Sequence, residues 1–189
     1  MINPAAWRLD DTGVLSGARF IASPNCDDRP DGALVELLVV HNISLPPGDF
    51  GGPAIIDLFT NRLDPDSHPY YRQIADARVS SHFFIRRNGE LIQFAPCSLR
   101  AWHAGQSEWR GRTRCNDFSI GIELEGTDEQ DFEESQYVML TRLSSMLMRN
   151  YPIQECLGHS DIATPPGRKT DPGPHFDWKR FRLLLNGAQ

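Results

Sequence analysis

The chain has 189 residues, of which 40% are hydrophobic and 23% charged, and its formal net charge is -6. That balance describes a globular domain with a core of its own and excludes low-complexity and collagen-like chains. An acidic total also argues against nucleic acid as the partner, since domains that bind it show a basic face. The start, Met1-Ile2-Asn3-Pro4-Ala5-Ala6-Trp7-Arg8, has no basic segment followed by an apolar run, so no secretory signal is read there. No stretch reaches transmembrane length, which predicts no membrane association. Cys26, Cys97, Cys115 and Cys156 are scattered without a C-x-x-C pair and fit reduced thiols. One domain over 1–189, with its core at about 17–185, in the cytoplasm, is the expectation.

In chain order, residues 15–33 read as loop and turn from Ser23-Pro24-Asn25 and Asp31-Gly32. Leu34 to Val40 is a nearly continuous apolar run of strand length and predicts a buried central strand that delivers His41 and Asn42 at its end. The Pro/Gly-rich segment 44–53 is a candidate rim beside that end. Short helices are expected over Ile55–Asn61 and Pro69–Ala77. Val79–Arg87 and Glu90–Ala95, joined by Asn88-Gly89, predict a hairpin with a type I′ turn. Residues 97–118 form a long loop carrying Trp102, Trp109, Arg110, Arg112 and Arg114, where the rings suit stacking and the arginines, with Arg168 and Lys169 of the C-terminal loop, suit a pocket for an anionic small molecule. Core packing and solvated surface are the plainer readings of the same residues.

Phe118–Gly126 alternates as a strand, with Ile120, Ile122 and Leu124 on one face and Gly121, Glu123 and Glu125 on the other. A long helix over 133–150, closed by Pro152, should cover one face of the sheet, and Asp177–Leu185 reads as a final helix capped by Asp177. Between them lies Gly158-His159-Ser160-Asp161, followed by a Pro/Gly-rich loop that ends in Lys169-Thr170-Asp171.

His159 and Asp171 look like half of a metal site, and His41 offers the other half, because a zinc ion that works on substrate takes three protein ligands and keeps one open position. The chain has no H-E-x-x-H and its six histidines allow many triples; His68 and His82 rank below His41 and His159, and Asp161 competes with Asp171 unless it serves as a capping group. Glu123 is the candidate proton carrier, and Lys169 could place its ammonium near a developing oxyanion.

Taken together, Val39-Val40-His41-Asn42, Ser81-His82-Phe83, Ala101-Trp102-His103-Ala104-Gly105, Cys115 to Gly126, Gly158 to Ala163 and Arg168 to Gly173 resemble, in order, the cytoplasmic N-acetylmuramoyl-L-alanine amidases. The resemblance runs from about residue 17 to residue 182. It implies an α/β (α+β) fold, a central mixed sheet flanked by helices, as in peptidoglycan-recognition-protein-like amidases. It implies Zn²⁺ held by His41, His159 and Asp171, with Glu123 as base and acid and Lys169 as oxyanion partner. Asn42, Arg78, Trp102 and Arg114 match substrate-lining positions. The implied substrate is a small molecule, an anhydromuropeptide, cut between 1,6-anhydro-N-acetylmuramic acid and L-alanine by a monomeric enzyme of wall recycling that lowers β-lactamase induction.

The chain departs from that family in two places. Two residues more than expected separate His159 from Asp171, around Thr164-Pro165-Pro166, and Ser81 stands where more distant members carry a tyrosine, which leaves proton transfer to Glu123. A non-catalytic peptidoglycan-fragment binder is the alternative, and a secreted wall-remodelling amidase would need the export signal not read here.

Overall fold

The computed structural model describes residues 7–188, so residues 1–6, on which the reading of the N-terminus partly rests, and residue 189 lie outside it. In chain order the elements are β1 (Arg19–Phe20), β2 (Cys26–Asp28), β3 (Leu37–Ile43), α1 (Ala54–Phe59), β4 (Phe83–Ile85), β5 (Leu91–Gln93), β6 (Leu99–Ala101), β7 (Glu108–Trp109), β8 (Arg112–Thr113), β9 (Ser119–Glu125), α2 (Glu134–Asn150), β10 (Glu155–Gly158), α3 (His159–Ile162) and α4 (Trp178–Gly187). Short 3₁₀ turns occupy Tyr71–Gln73 and Cys115–Phe118.

Six strands form one sheet in the order β1-β5-β4-β9-β3-β10. Every neighbouring pair is parallel apart from β4 with β5, so the sheet is mixed, as expected. Its centre is β3 against β9, paired from Leu37 with Ser119 to Ile43 with Glu125. These strands are apolar over most of their length because both faces are covered. On one face Leu38, Val40, Ile120 and Ile122 pack with Leu140 and Leu147 of α2 and Phe181 of α4. On the other, apolar packing divides into two clusters: Phe84 and Ile92 with α1, and Leu37 and Val39 with Trp109, Phe118 and Ile162. Period-two alternation carries His41 onto this second face, and the register sets Glu123 beside it.

Several elements differ from the sequence expectation. β3 begins at Leu37 and runs through Ile43, because β9 pairs with it that far, and Leu34 is left 59% exposed. His41 and Asn42 therefore lie inside the strand. The 79–95 hairpin is antiparallel as predicted, but its loop has three residues: Arg86 N–H donates to Glu90 O (3.0 Å), Gly89 N–H donates to Arg86 O (2.9 Å), and Gly89 holds φ of 82° while Asn88 does not enter the left-handed region. A glycine-closed loop of this kind replaces the I′ turn.

The helix expected over Pro69–Ala77 is only the 3₁₀ turn. Tyr71 and Ile74 both pack on the α1 cluster, and their spacing of three suits a 3₁₀ turn. Segment 97–118 is not structureless, since it holds β6, β7, β8 and a 3₁₀ turn, and Trp109 is core. All four cysteines are free, and none of the described helices is long and apolar enough to cross a membrane.

Candidate metal centre and active site

Sheet register brings the two histidines together. β10 runs parallel to β3 with Gly158 beside Val40, so the next residue, His159, arrives alongside His41. There Asp161 accepts the Gly158 N–H (2.8 Å) and starts α3, which makes it a capping group. The chain returns when Ser160 N–H donates to the Asp171 carbonyl (3.0 Å), placing the Asp171 carboxylate against both rings.

The Nδ1 atoms of His41 and His159 are 3.1 Å apart, and Asp171 Oδ2 is 3.0 Å from the first and 3.1 Å from the second. Zinc bonds of roughly 2.0–2.2 Å in a tetrahedral arrangement separate ligands by about 3.3 Å, so this triangle has the size such an ion needs. Two imidazoles and a carboxylate are also a donor set that suits zinc. Among the described residues these three form the group able to hold a metal.

Electrostatics agrees with that use. Burial pushes His41 down to about 4, keeping it neutral near pH 7. For Asp171, burial acts upward, but the His159 and His41 rings together outweigh it and hold the carboxyl well below the usual range. The ring of His159 is oriented through Nε2, 2.9 Å from the Ala104 carbonyl, which leaves its Nδ1 free of a proton when Nε2–H donates there.

Glu123 is buried on the same sheet face, and its Oε2 has no hydrogen-bond partner. Burial first, and the charge of Asp171 second, push its carboxyl well up, while Lys169 opposes them. An unpartnered carboxyl with a raised pKa beside the donor triangle is suited to carrying a proton. An open cavity of about 500 Å³ reaches the donor triangle at Asp171 and is lined among others by Asn42, Ser44, Tyr70, Asp128 and Lys169. Ser44, Pro47 and Gly48 form part of its rim, as expected of the 44–53 loop. Asn42 Nδ2 donates to Asp128 Oδ1 (2.6 Å), which fixes one wall.

Other sequence candidates fall elsewhere. Trp102 and Arg114 share a separate depression of about 270 Å³, where Trp102 Nε1 donates to Asp27 Oδ1 (3.0 Å). Arg78 lines neither cavity, and its guanidinium donates to the Ala75 and Ala77 carbonyls. The basic groups divide: Arg110 faces Glu155 (3.4 Å) and Arg112 faces Glu36 (2.5 Å), away from the cavity, whereas Lys169 and Arg168 line it, Arg168 also donating to the Ala104, Gln106 and Thr164 carbonyls. Those arginine contacts pin the loop around Thr164-Pro165-Pro166 to the 104–106 turn. His68 accepts the Tyr70 N–H, His175 faces Asp131, and Ser81 is buried with its hydroxyl on the Phe83 carbonyl.

The structure adds groups to which sequence reasoning gave no role. His103 Nδ1 lies 2.9 Å from His41 Nε2, and His103 Nε2 lies 3.0 Å from Ser119 Oγ. Asn116 Oδ1 accepts the N–H groups of His103 and Ala104. Half-buried Arg29 donates to the Cys97, Asn116, Asp117 and Ser119 carbonyls, and desolvation lowers it to about 10. The sequence signals for His103 were its place in the Ala101–Gly105 motif and the mid-strand Gly121, where a Cβ would lie 2.4 Å from the ring.

A sequence model of the family described as N-acetylmuramoyl-L-alanine amidase matches residues 31–174. The 1,6-anhydro-N-acetylmuramyl-L-alanine amidase AmpD of Escherichia coli is 55% identical over 180 residues, 94% of this chain and 97% of that protein. A crystal structure of a selenomethionine AmpD derivative has a TM-score of 0.90 at 55% identity, covering 94% of this chain and 99% of that one. AmiD from E. coli, in complex with the substrate anhydro-N-acetylmuramic acid-L-Ala-D-gamma-Glu-L-Lys, has a TM-score of 0.58 at 32% identity, covering 82% of this chain and 60% of that one. With a family match over most of its length and 55% identity across 94% of it, the chain belongs to the N-acetylmuramoyl-L-alanine amidase family.

Proposed function

We propose that this family member is a zinc-dependent amidase that hydrolyses the amide between 1,6-anhydro-N-acetylmuramic acid and L-alanine in soluble wall fragments. The convergence of His41 Nδ1, His159 Nδ1 and Asp171 Oδ2 to 3.0–3.1 Å beside the unpartnered carboxyl of Glu123 carries this reading. The 55% identity to an enzyme named for that substrate supports the anhydro sugar.

His41, His159 and Asp171 would hold the ion. Zinc, when bound, supplies Lewis acidity towards the scissile carbonyl and lowers the pKa of water. Glu123 takes a proton from the attacking water as its oxygen bonds to the amide carbon, then gives that proton to the leaving nitrogen as the C–N bond breaks. Lys169, on the cavity wall, offsets the charge developing on the carbonyl oxygen. Asn42 lines the same cavity and would orient the substrate, while Trp102, Arg114 and Arg78 would act only through parts of the fragment lying outside it. The cellular role in this reading is recycling of wall fragments in the cytoplasm by a monomer, lowering the muropeptides that induce β-lactamase.

The test is release of free stem peptide from anhydromuropeptide by the zinc-loaded protein, with a chelated control and intact wall polymer in parallel. Zinc-dependent release from the soluble fragment is expected. Binding without release would return the chain to a sensing module, and release from polymer as well would reopen a wall-remodelling role.

A further inference from the structure

Each imidazole of the donor triangle presents Nδ1 to the centre, and a ring that coordinates through Nδ1 carries its proton on Nε2. For His159 that proton has a carbonyl to receive it, Ala104 O at 2.9 Å. A carbonyl only accepts, so this contact fixes the tautomer by itself. His41 differs, because its Nε2 faces another imidazole, His103 Nδ1, at 2.9 Å. An imidazole nitrogen either donates or accepts, so His103 decides which nitrogen of His41 bears the proton. If His103 carried its proton on Nδ1, His41 would have to accept it on Nε2 and hold its own proton on Nδ1, where no metal could then bind. The useful arrangement runs one way: His41 Nε2–H donates to His103 Nδ1, and His103 Nε2–H donates to Ser119 Oγ at 3.0 Å.

The surroundings are built to keep His103 in that place. Its own N–H and that of Ala104 donate to Asn116 Oδ1, at 3.2 and 2.8 Å. Its ring packs over Gly121 in mid-strand, where a Cβ would come within 2.4 Å of Cγ and 2.6 Å of Nδ1. Gly121 does not hold a positive φ, so space for this ring accounts for the missing side chain. Ser119 is held in turn by Arg29, whose guanidinium donates to its carbonyl at 2.8 Å.

We propose that His103 is a positioning residue that makes His41 a metal ligand, by accepting the His41 Nε2–H and passing its own Nε2–H to Ser119, in a space that Gly121 keeps open. The proposal rests on the zinc reading above. It concerns the ordering of a ligand and assigns His103 no contact with substrate.

Zinc affinity, measured on the full chain by competition with a chelator of known strength, tests it without reference to turnover. His103→Leu removes the acceptor at similar volume and should weaken zinc binding about 10- to 100-fold, the usual effect of losing the group behind a histidine ligand. His103→Asn restores an acceptor at the place of Nδ1 and should bring affinity back towards wild type. Gly121→Ala, which removes no hydrogen-bonding side chain, should weaken binding in the same direction by displacing the ring. Thermal unfolding of each zinc-loaded variant reports whether it is folded, and the Leu and Asn variants, compared with each other, separate hydrogen bonding from packing.

Wild-type affinity in His103→Leu would overturn the proposal, and so would equal loss in the Leu and Asn variants. Either result leaves the zinc reading intact as long as the wild-type chain binds zinc. A wild-type chain with no zinc affinity would instead remove that reading and this proposal together.

Discussion

Glu123 and Glu125 sit two residues apart on one strand face and have opposite environments. Glu125 receives Arg86 Nη1 (3.1 Å) and the N–H groups of Gly51 (2.6 Å) and Arg87 (3.1 Å). Glu123 is also buried but has an unpartnered Oε2, and its carboxyl is pushed above its ordinary 4.5. A carboxyl with a raised folded-state pKa binds its proton more tightly folded than unfolded. Its contribution to stability is therefore fully present below the unfolded value and is lost as pH rises through the folded one. Glu123→Gln, which cannot ionise, should make the metal-free protein more stable than wild type near pH 8. The gap should close as pH falls below about 4.5, the ordinary carboxyl value. The same variant should lose turnover while retaining zinc. Urea unfolding at the two pH values checks the first point, and an unchanged or reversed gap at pH 8 would mean that Glu123 is solvated or paired in solution. From sequence alone the two glutamates are indistinguishable, since alternation places both on one face; only the partners brought in by distant segments separate them.

At the scale of elements, Glu125 joins three pieces of chain. It ends β9, holds the first residues past β4 through Arg86 and Arg87, and anchors the 44–53 rim through Gly51, while Arg86 Nη2 also donates to the Gly52 carbonyl (3.0 Å). Both charges are largely buried, and removing Glu125 leaves Arg86 only the partly exposed Glu90 (3.3 Å) as a counter-charge. Glu125→Ala should cost about 3–5 kcal/mol, read as a drop in the urea midpoint, and should free the rim of the cavity. A loss under about 1 kcal/mol would place the pair among exposed bridges of little consequence. Elements with a strong local cause were legible beforehand: α2 from its apolar spacing, α4 from the Asp177 cap, which accepts the Arg180 N–H (2.9 Å), and β9 from its alternation. Boundaries set by distant pairing were not. β3 extends to Ile43 because β9 accompanies it, and β6 to β8 exist only through short pairings within and onto a loop that lacks a periodic pattern.

Over the whole molecule, the three donors come from β3, the start of α3 and the loop before α4, separated by 118 positions between the histidines and 130 between His41 and Asp171. Sequence chemistry named them, but their convergence follows from β10 lying parallel to β3, a register that no local pattern reports. An ion held at that point binds the folded chain and has no comparable site in the unfolded one, so it stabilises the fold by mass action. Free zinc at 100 times its dissociation constant would contribute about 2.7 kcal/mol. At roughly 2–4 °C per kcal/mol for a chain of this size, chelation should lower Tm by about 5–11 °C, and added zinc should restore it. His159→Ala should abolish the response, because it removes a donor. Glu123→Gln, outside the donor set, should keep it. Calorimetry of the three proteins with chelator and with zinc makes the comparison. A wild-type Tm that does not move while bound zinc falls to zero would show that the unfolded chain binds the ion as tightly as the folded one. A shift retained in His159→Ala would place the stabilising ion away from this triangle.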